Sequence, residues 1–161
     1  FEIQNTKEIP LLRVNAHVFK HSGFGCTHLH LDCDSTEKAF SVAFRTIPKD
    51  HSGIAHILEH TVLCGSEKFP VRDPFFMMTR RSLSTFMNAM TYPDITAYPF
   101  ATLNDKDYRN LLSVYLDAAF FPNIDELDFM QEGHRFELIK DGDKEKLALK
   151  GVVYNLSLIH I

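Results

Sequence analysis

Three residues carry the chemistry this sequence could do: His56, Glu59 and His60, in the arrangement H-x-x-E-H. On a helix, residues four apart lie one turn above each other, so His56 and His60 share a face. Two imidazoles so placed can bind one Zn²⁺ at about 2.0–2.1 Å per Zn–N bond. Glu59 falls beside that pair without having to be a ligand. A carboxylate there can take a proton from a zinc-bound water, whose pKa the metal lowers to about 7. A surface helix with two solvated histidines has the same spacing, so the triplet alone leaves both readings open.

A helix must present these groups, and the flanking residues supply one. Asp50 and Ser52 are candidate N-caps. Ile54, Ile57, Leu58, Thr61 and Val62 give an apolar stripe at helical spacing, and Gly65 is a natural C-cap. The motif is the inverted form of the H-E-x-x-H protease helix.

Composition bounds the rest. The 161 residues suffice for one modest domain, and with 45% hydrophobic residues and 14 Phe they can bury a sizeable core. A net charge of −4 leaves no basic footprint for nucleic acid. No stretch approaches the roughly 20 apolar residues of a membrane span. The first residues lack the charged-then-apolar pattern of a signal peptide, although the chain starts at Phe1, so a leader could have been lost. Cys26, Cys33 and Cys64 show no C-x-x-C spacing, and an odd count fits a reducing compartment better than a disulfide framework.

Taken in order, residues Leu11 to Thr46 read as a three-stranded antiparallel meander, with Ala39 to Thr46 as its third strand ended by Pro48. His28 and His30 share one strand face and make a second, weaker metal-site candidate, for which an exposed polar face is the preferred reading. Asp73 and Pro74 open a short helix as N-cap and first helical residue. Its methionines read as packing residues, and Arg80 and Arg81 as solvated. Ser84 to Thr91 and Thr96 to Ala101 read as strands about a turn at Tyr92-Pro-Asp94, with Pro99 arguing for an edge or bulge. An edge beside the histidine helix is where an extended peptide could add as a strand. Asn88 could bond such a backbone or merely satisfy a local turn. Asn104 or Asp105 caps a long helix to about Ala119, with a stripe of Tyr108, Leu111, Leu112, Tyr115, Leu116 and Ala119. A second helix from about Ile124 to Gly133 follows; Glu132 and His134 lie within reach of a metal site but receive no role. Phe136 to Ile139 reads as a strand, Lys140 to Lys146 as a charged turn, and Leu147 to Asn155 as the start of a further element.

Several separate segments together resemble the presequence-protease branch of the pitrilysin/insulinase metallopeptidases. They are Gly53 to Pro70, Asp73-Pro-Phe-Phe76, Ser82 to Ala89, Tyr98-Pro-Phe100, Leu111 to Asp117 and Leu127 to Gly133. Their order matches too, and the likeness covers nearly the whole chain to Asn155. The resemblance implies an α+β fold, an antiparallel or mixed sheet packed against helices. It implies that His56 and His60 ligate one Zn²⁺, that Glu59 is the general base, and that Asn88 and Ala89 belong to the edge strand that binds the substrate's backbone. It also implies a zinc metalloendopeptidase acting on unstructured oligopeptides, among them targeting presequences, in the mitochondrial matrix or a bacterial cytoplasm. The partners implied are such peptides and the further C-terminal units of a four-unit protease.

The sequence departs from that family at one position that matters. A run like Gly151-Val-Val-Tyr-Asn155 leads in the family directly into a Glu, the third zinc ligand; here residue 156 is Leu. Catalytic zinc ordinarily has three protein ligands and an open position. Nothing but its residue type suggests His160 as a substitute. The expectation is therefore an N-terminal peptidase domain over residues 1–155 and a tail, 156–161, foreign to the pattern, with weak zinc binding and little hydrolysis. The alternative is a non-catalytic peptide-binding or assembly subunit lacking the third ligand.

Overall fold

The computed structural model describes residues 1–142 and 144–160. Residues 1–36 form one unit and residues 37–161 another. In the first, β1 (Glu2–Ile9), β2 (Val14–Lys20) and β3 (Thr27–Cys33) make an antiparallel sheet in that order. Arg13, in the left-handed region at φ 54°, turns the chain between β1 and β2. The β2–β3 turn is held by His21, whose Nδ1 accepts from the backbone N–H groups of Gly23 and Phe24 at 3.1 and 3.0 Å. The meander expected from the sequence is thus corrected: its third member is β1, and the strand expected to close it belongs to a different sheet. β1 is polar and exposed at nearly every position, so it has no buried alternation to read.

The second unit is built on β7 (Ile95–Thr102). It pairs along its whole length with β4 (Lys38–Arg45), and on its other side with β5 (Ser84–Met87) and then β6 (Met90–Thr91). The expected single strand from Ser84 to Thr91 is therefore two pieces, broken at Asn88 and Ala89. The break also accounts for Pro99, which lies in the central strand and not at an edge. Asn88 N–H donates to the Pro99 carbonyl at 3.1 Å. A strand residue's N and carbonyl point to the same side, so the donor that proline lacks would face the interrupted flank, where no regular ladder needs it.

Tyr98, Phe100 and Thr102 on one face of β7 are buried, with polar or half-buried residues alternating between them. Against them packs α3 (Asp105–Phe120), capped by Asn104, whose side chain accepts from the N–H groups of Lys106 and Asp107. Its buried face is Asp107, Leu111, Val114, Tyr115 and Ala118. The helical stripe was legible, but its axis is rotated by about one residue from the expected one. The core joins Val62, Tyr98, Phe100, Leu111, Tyr115 and Ala118, with Met78 packed against it as expected and Met87 beside it, whereas Met77, expected to pack as well, is exposed.

Among the described residues, four shorter helices complete the unit with α3: α1 (Ile54–Val62), α2 (Pro74–Arg81), α4 (Glu126–Glu132) and α5 (Val152–His160). Asp73 and Pro74 open α2 as expected, although Asp73 adopts φ 54° and makes no side-chain cap bond. α4 is shorter than expected and is capped by Asp125, and its Leu127 is exposed. The hairpin β8 (Arg135–Asp141) and β9 (Lys144–Lys150) takes in residues read from the sequence as a charged turn. Gly151 then admits an unusually close approach: a Cβ there would sit 1.9 Å from the carbonyl oxygen of Gly133. Only glycine allows two backbones so near, and this contact seats the start of α5 against the end of α4, beside Glu132.

Candidate active site

α1 places the three chemical residues, though not by the caps the sequence suggested. Its N-cap is Gly53, at φ 69°, with no side-chain cap bond. Asp50 instead accepts from Ser52, closing the preceding turn, and that bond holds its carboxyl below the usual carboxylate range. Gly65 lies beyond the C-cap residue, Leu63. A Cβ on it would crowd the Val71 carbonyl at 3.2 Å, so its smallness serves packing. The expected apolar stripe holds for Thr61 and Val62, which are buried, and fails for Ile54 and Leu58, which are exposed. The buried side of α1 faces β6, β7 and α4, and it carries Glu59 inward with it.

His56 and His60 lie one turn apart, ring centroids 5.0 Å from each other and ring planes inclined at 64°. Glu59 is buried, at 7% exposure. A cavity of about 290 Å³ is lined by Glu59, His60, Asn88, Ala89 and Glu132, among others. His56 borders a neighbouring hollow with Asp50, His51 and Thr91. Asn88 and Ala89 sit at the break between β5 and β6, where the Asn88 carbonyl accepts from the Tyr115 hydroxyl at 3.3 Å. The fold thus gathers around one cavity the residues that the sequence singled out at positions 59, 60, 88 and 89.

Sequence reading named Glu132 as able to reach a metal site but gave it no role. Its Oε2 lies 2.9 Å from His60 Nδ1, and its Oε1 accepts from the Gln131 amide at 2.8 Å. No local signal links residues 60 and 132; the pairing exists because α1 packs on α4. Two further groups feel the buried carboxylates. Burial pushes the Tyr98 hydroxyl above its ordinary range, and the Glu59 carboxylate adds to that. Burial likewise pushes the Cys64 thiol up to about 12, with Asp128, Asp73 and Glu132 contributing.

The donor set fits zinc in part. A histidine that ligates a metal through one ring nitrogen ordinarily gives the other to a carboxylate, as His60 does. Yet among the described residues no group of three His, Cys, Asp or Glu is arranged to hold a metal ion. Residue 156 is a half-buried Leu on α5, and the side chain of His160 lies outside the described residues, as does Ile161. His28 and His30, with His17 across the strand pair, stack at 6.5 and 6.0 Å with nearly parallel rings and do not converge on a point.

Antiparallel sheets, packed helices and a helix-borne H-x-x-E-H beside a broken edge define an α+β unit of the inverted-motif peptidase class. Residues 45–147 match the family model described as Insulinase (Peptidase family M16), and the chain belongs to that family. It is 55% identical over 157 residues to the mitochondrial presequence protease of Candida albicans, covering 96% of this chain and 15% of that protein. It is 54% identical over 156 residues to those of Mus musculus and Danio rerio, with the same coverage. The chain therefore spans about 15% of the length of these relatives. Among solved structures, pitrilysin superposes with a TM-score of 0.60 at 21% identity, over 78% of this chain and 13% of that one, a likeness of fold.

Proposed function

We propose that this chain carries the histidine-helix unit of a zinc metalloendopeptidase that hydrolyses unstructured oligopeptides, targeting presequences among them, in the mitochondrial matrix. The observation that supports this most is the single cavity that Glu59, His60, Asn88 and Ala89 line, with His56 one turn from His60. His56 and His60 would hold the metal. When bound, zinc supplies a water of lowered pKa and a Lewis acid for the scissile carbonyl. Glu59, buried and adjacent, accepts the proton of the attacking water and passes it to the leaving amine. The broken edge at Asn88 and Ala89 takes an extended peptide backbone as an added strand, a mode that selects conformation over sequence. The proposed peptidase domain is residues 1–155, taking in both compact units up to that point, and its partners are the remaining parts of a protease several times longer.

Leu156 favours a second reading, a peptide-binding subunit without catalysis, because it leaves the donor set two imidazoles strong. One comparison separates them. Zinc content and cleavage of an unstructured peptide are measured for the chain and for Glu59→Gln. Bound zinc with cleavage lost in Glu59→Gln supports the enzyme. Peptide binding with neither metal nor cleavage supports the subunit.

A further inference from the structure

The carboxylate on His60 is itself held by a directed chain of hydrogen bonds. Arg72 Nη2 donates to the Gln131 side-chain oxygen, Gln131 Nε2 donates to Glu132 Oε1 at 2.8 Å, and Glu132 Oε2 meets His60 Nδ1 at 2.9 Å. The polarity of this chain has one solution. A guanidinium only donates, so the Gln131 oxygen must face it. The amide's NH₂ must then face Glu132, and an ionised carboxylate only accepts. Nδ1 of His60 is left to supply the proton, which in the neutral imidazole places the lone pair on Nε2. Both Glu132 oxygens are engaged, so the carboxylate cannot rotate without breaking one bond. Arg72 is further anchored by Asp73, 3.5 Å from its Nε. Glu132 is 8% exposed, whereas Arg72 stands at the surface and lines, with Gln131, a separate hollow of about 640 Å³.

We infer that Gln131 and Arg72 are positioning residues that act through Glu132 to fix the tautomer and orientation of His60, with Nε2 presented as the ligand atom. The inference rests on the proposed metal-binding role of His60 and adds two residues to it that touch neither metal nor substrate. Outer-shell partners of this kind ordinarily change metal affinity 10–100-fold when removed.

The experiment has a metal-free arm and a metal arm. In chelator-treated chain labelled with ¹⁵N-histidine, long-range proton–nitrogen spectra report each tautomer. His60 is expected as a single Nδ1–H form in the parent. In Gln131→Met and Arg72→Met its nitrogens shift toward a tautomer average, and those of His56 stay in place. Zinc affinity, read by competition with a chelating dye, falls about tenfold or more in both variants. Arg72 is exposed, so Arg72→Met keeps the test open should Gln131→Met fold poorly. An unchanged single tautomer for His60 in Arg72→Met overturns the inference, as does parental zinc affinity in that variant. A parent that binds no zinc would sink the metal reading, while the metal-free spectra still decide whether the relay sets the tautomer.

Discussion

The hydroxyl of Tyr115, buried in the middle of α3, donates to the carbonyl of Asn88 at the break in the sheet edge, 3.3 Å away. The bond ties the floor of the core to the rim where a peptide would add. Burial raises the Tyr115 hydroxyl above its ordinary range, and the Asn88 bond opposes part of that. The group stays a neutral donor throughout the useful pH range. Tyr115→Phe keeps the ring and its packing and removes only this bond. It is expected to cost about 1 kcal/mol in stability. Through the freed Asn88, it should weaken binding of an extended peptide by up to about fivefold. Calorimetric titration with one unstructured peptide checks the second effect. Parental affinity in a folded Tyr115→Phe would show that the edge does not depend on this tether.

A second tie holds three elements at one atom. Asp107 Oδ2 accepts from Ser82 Oγ at 2.8 Å and from Thr102 Oγ1 at 3.0 Å, joining the end of α2, the end of β7 and the first turn of α3. Asp107 is buried at 8% exposure, and Thr102 is fully buried. Bonds to a charged acceptor contribute about 1.5–3 kcal/mol each, and two on one atom are not additive, so Asp107→Ala is expected to destabilise by about 3 kcal/mol. Asp107→Asn, which keeps an oxygen acceptor, should cost distinctly less. Urea unfolding checks both, the midpoint moving with the slope unchanged. A loss under about 0.5 kcal/mol for Asp107→Ala, the range of ordinary surface changes, would rule the tie out as a stabilising element.

How much of this was legible in sequence depends on distance along the chain. Asn104 as a cap, Asp73-Pro74 as a helix start and the stripe of α3 are local patterns, and each is present. What local pattern could not carry was partnership. β4 alternates like a meander strand, yet it pairs with β7, more than fifty residues on. The Pro99 rule of thumb fails because a proline is tolerated in a central strand where the flanking strand is itself interrupted. In the site, spacing gave His56, Glu59 and His60, and motif likeness gave Asn88 and Ala89. Glu132, named from the sequence without a role, gained its partner only when α1 and α4 were seen to pack, because a hydrogen bond across 72 residues leaves no period to read.

Cys64 supplies a test of that packing by chemistry. It is buried, and its thiol is pushed up to about 12, first by burial and then by the nearby carboxylates. Thiolate, not thiol, is the nucleophile. At pH 8 a disulfide reagent should therefore label the exposed Cys26 and Cys33 quickly and Cys64 only after unfolding in urea. The same shift carries a sign for stability. The folded thiol holds its proton more tightly than the unfolded one, so this contribution is intact below about pH 9 and is lost as pH rises through 12. Tyr98 and Tyr115, raised the same way, act in the same direction at higher pH. The urea midpoint should fall between about pH 8 and about pH 10, about one unit either side of the ordinary thiol value, and fall less in Cys64→Ala. Rapid labelling of all three thiols in the native chain would show that Cys64 is not enclosed.

Leu156 is where sequence and site disagree, and one substitution examines the disagreement. The residue follows Gly151-Val-Val-Tyr-Asn155 on α5, the helix whose start is seated against Gly133, next in sequence to the Glu132 that holds His60. If the two imidazoles of α1 lack only a third donor, Leu156→Glu should provide it. Zinc retained after dialysis against buffer is then expected to rise from well below one to about one ion per chain. Leu156→Gln, matched in length but without the charge, should not produce that gain, because a hard oxygen ligand to zinc is a carboxylate. Adding Glu59→Gln to Leu156→Glu should leave the zinc in place if Glu59 acts as the proposed base and not as a ligand. Equal zinc content in the parent and in a folded Leu156→Glu would mean that position 156 does not face the histidine pair. The missing donor would then have to come from elsewhere, and the α1 pair would lose its claim to be two-thirds of a catalytic site.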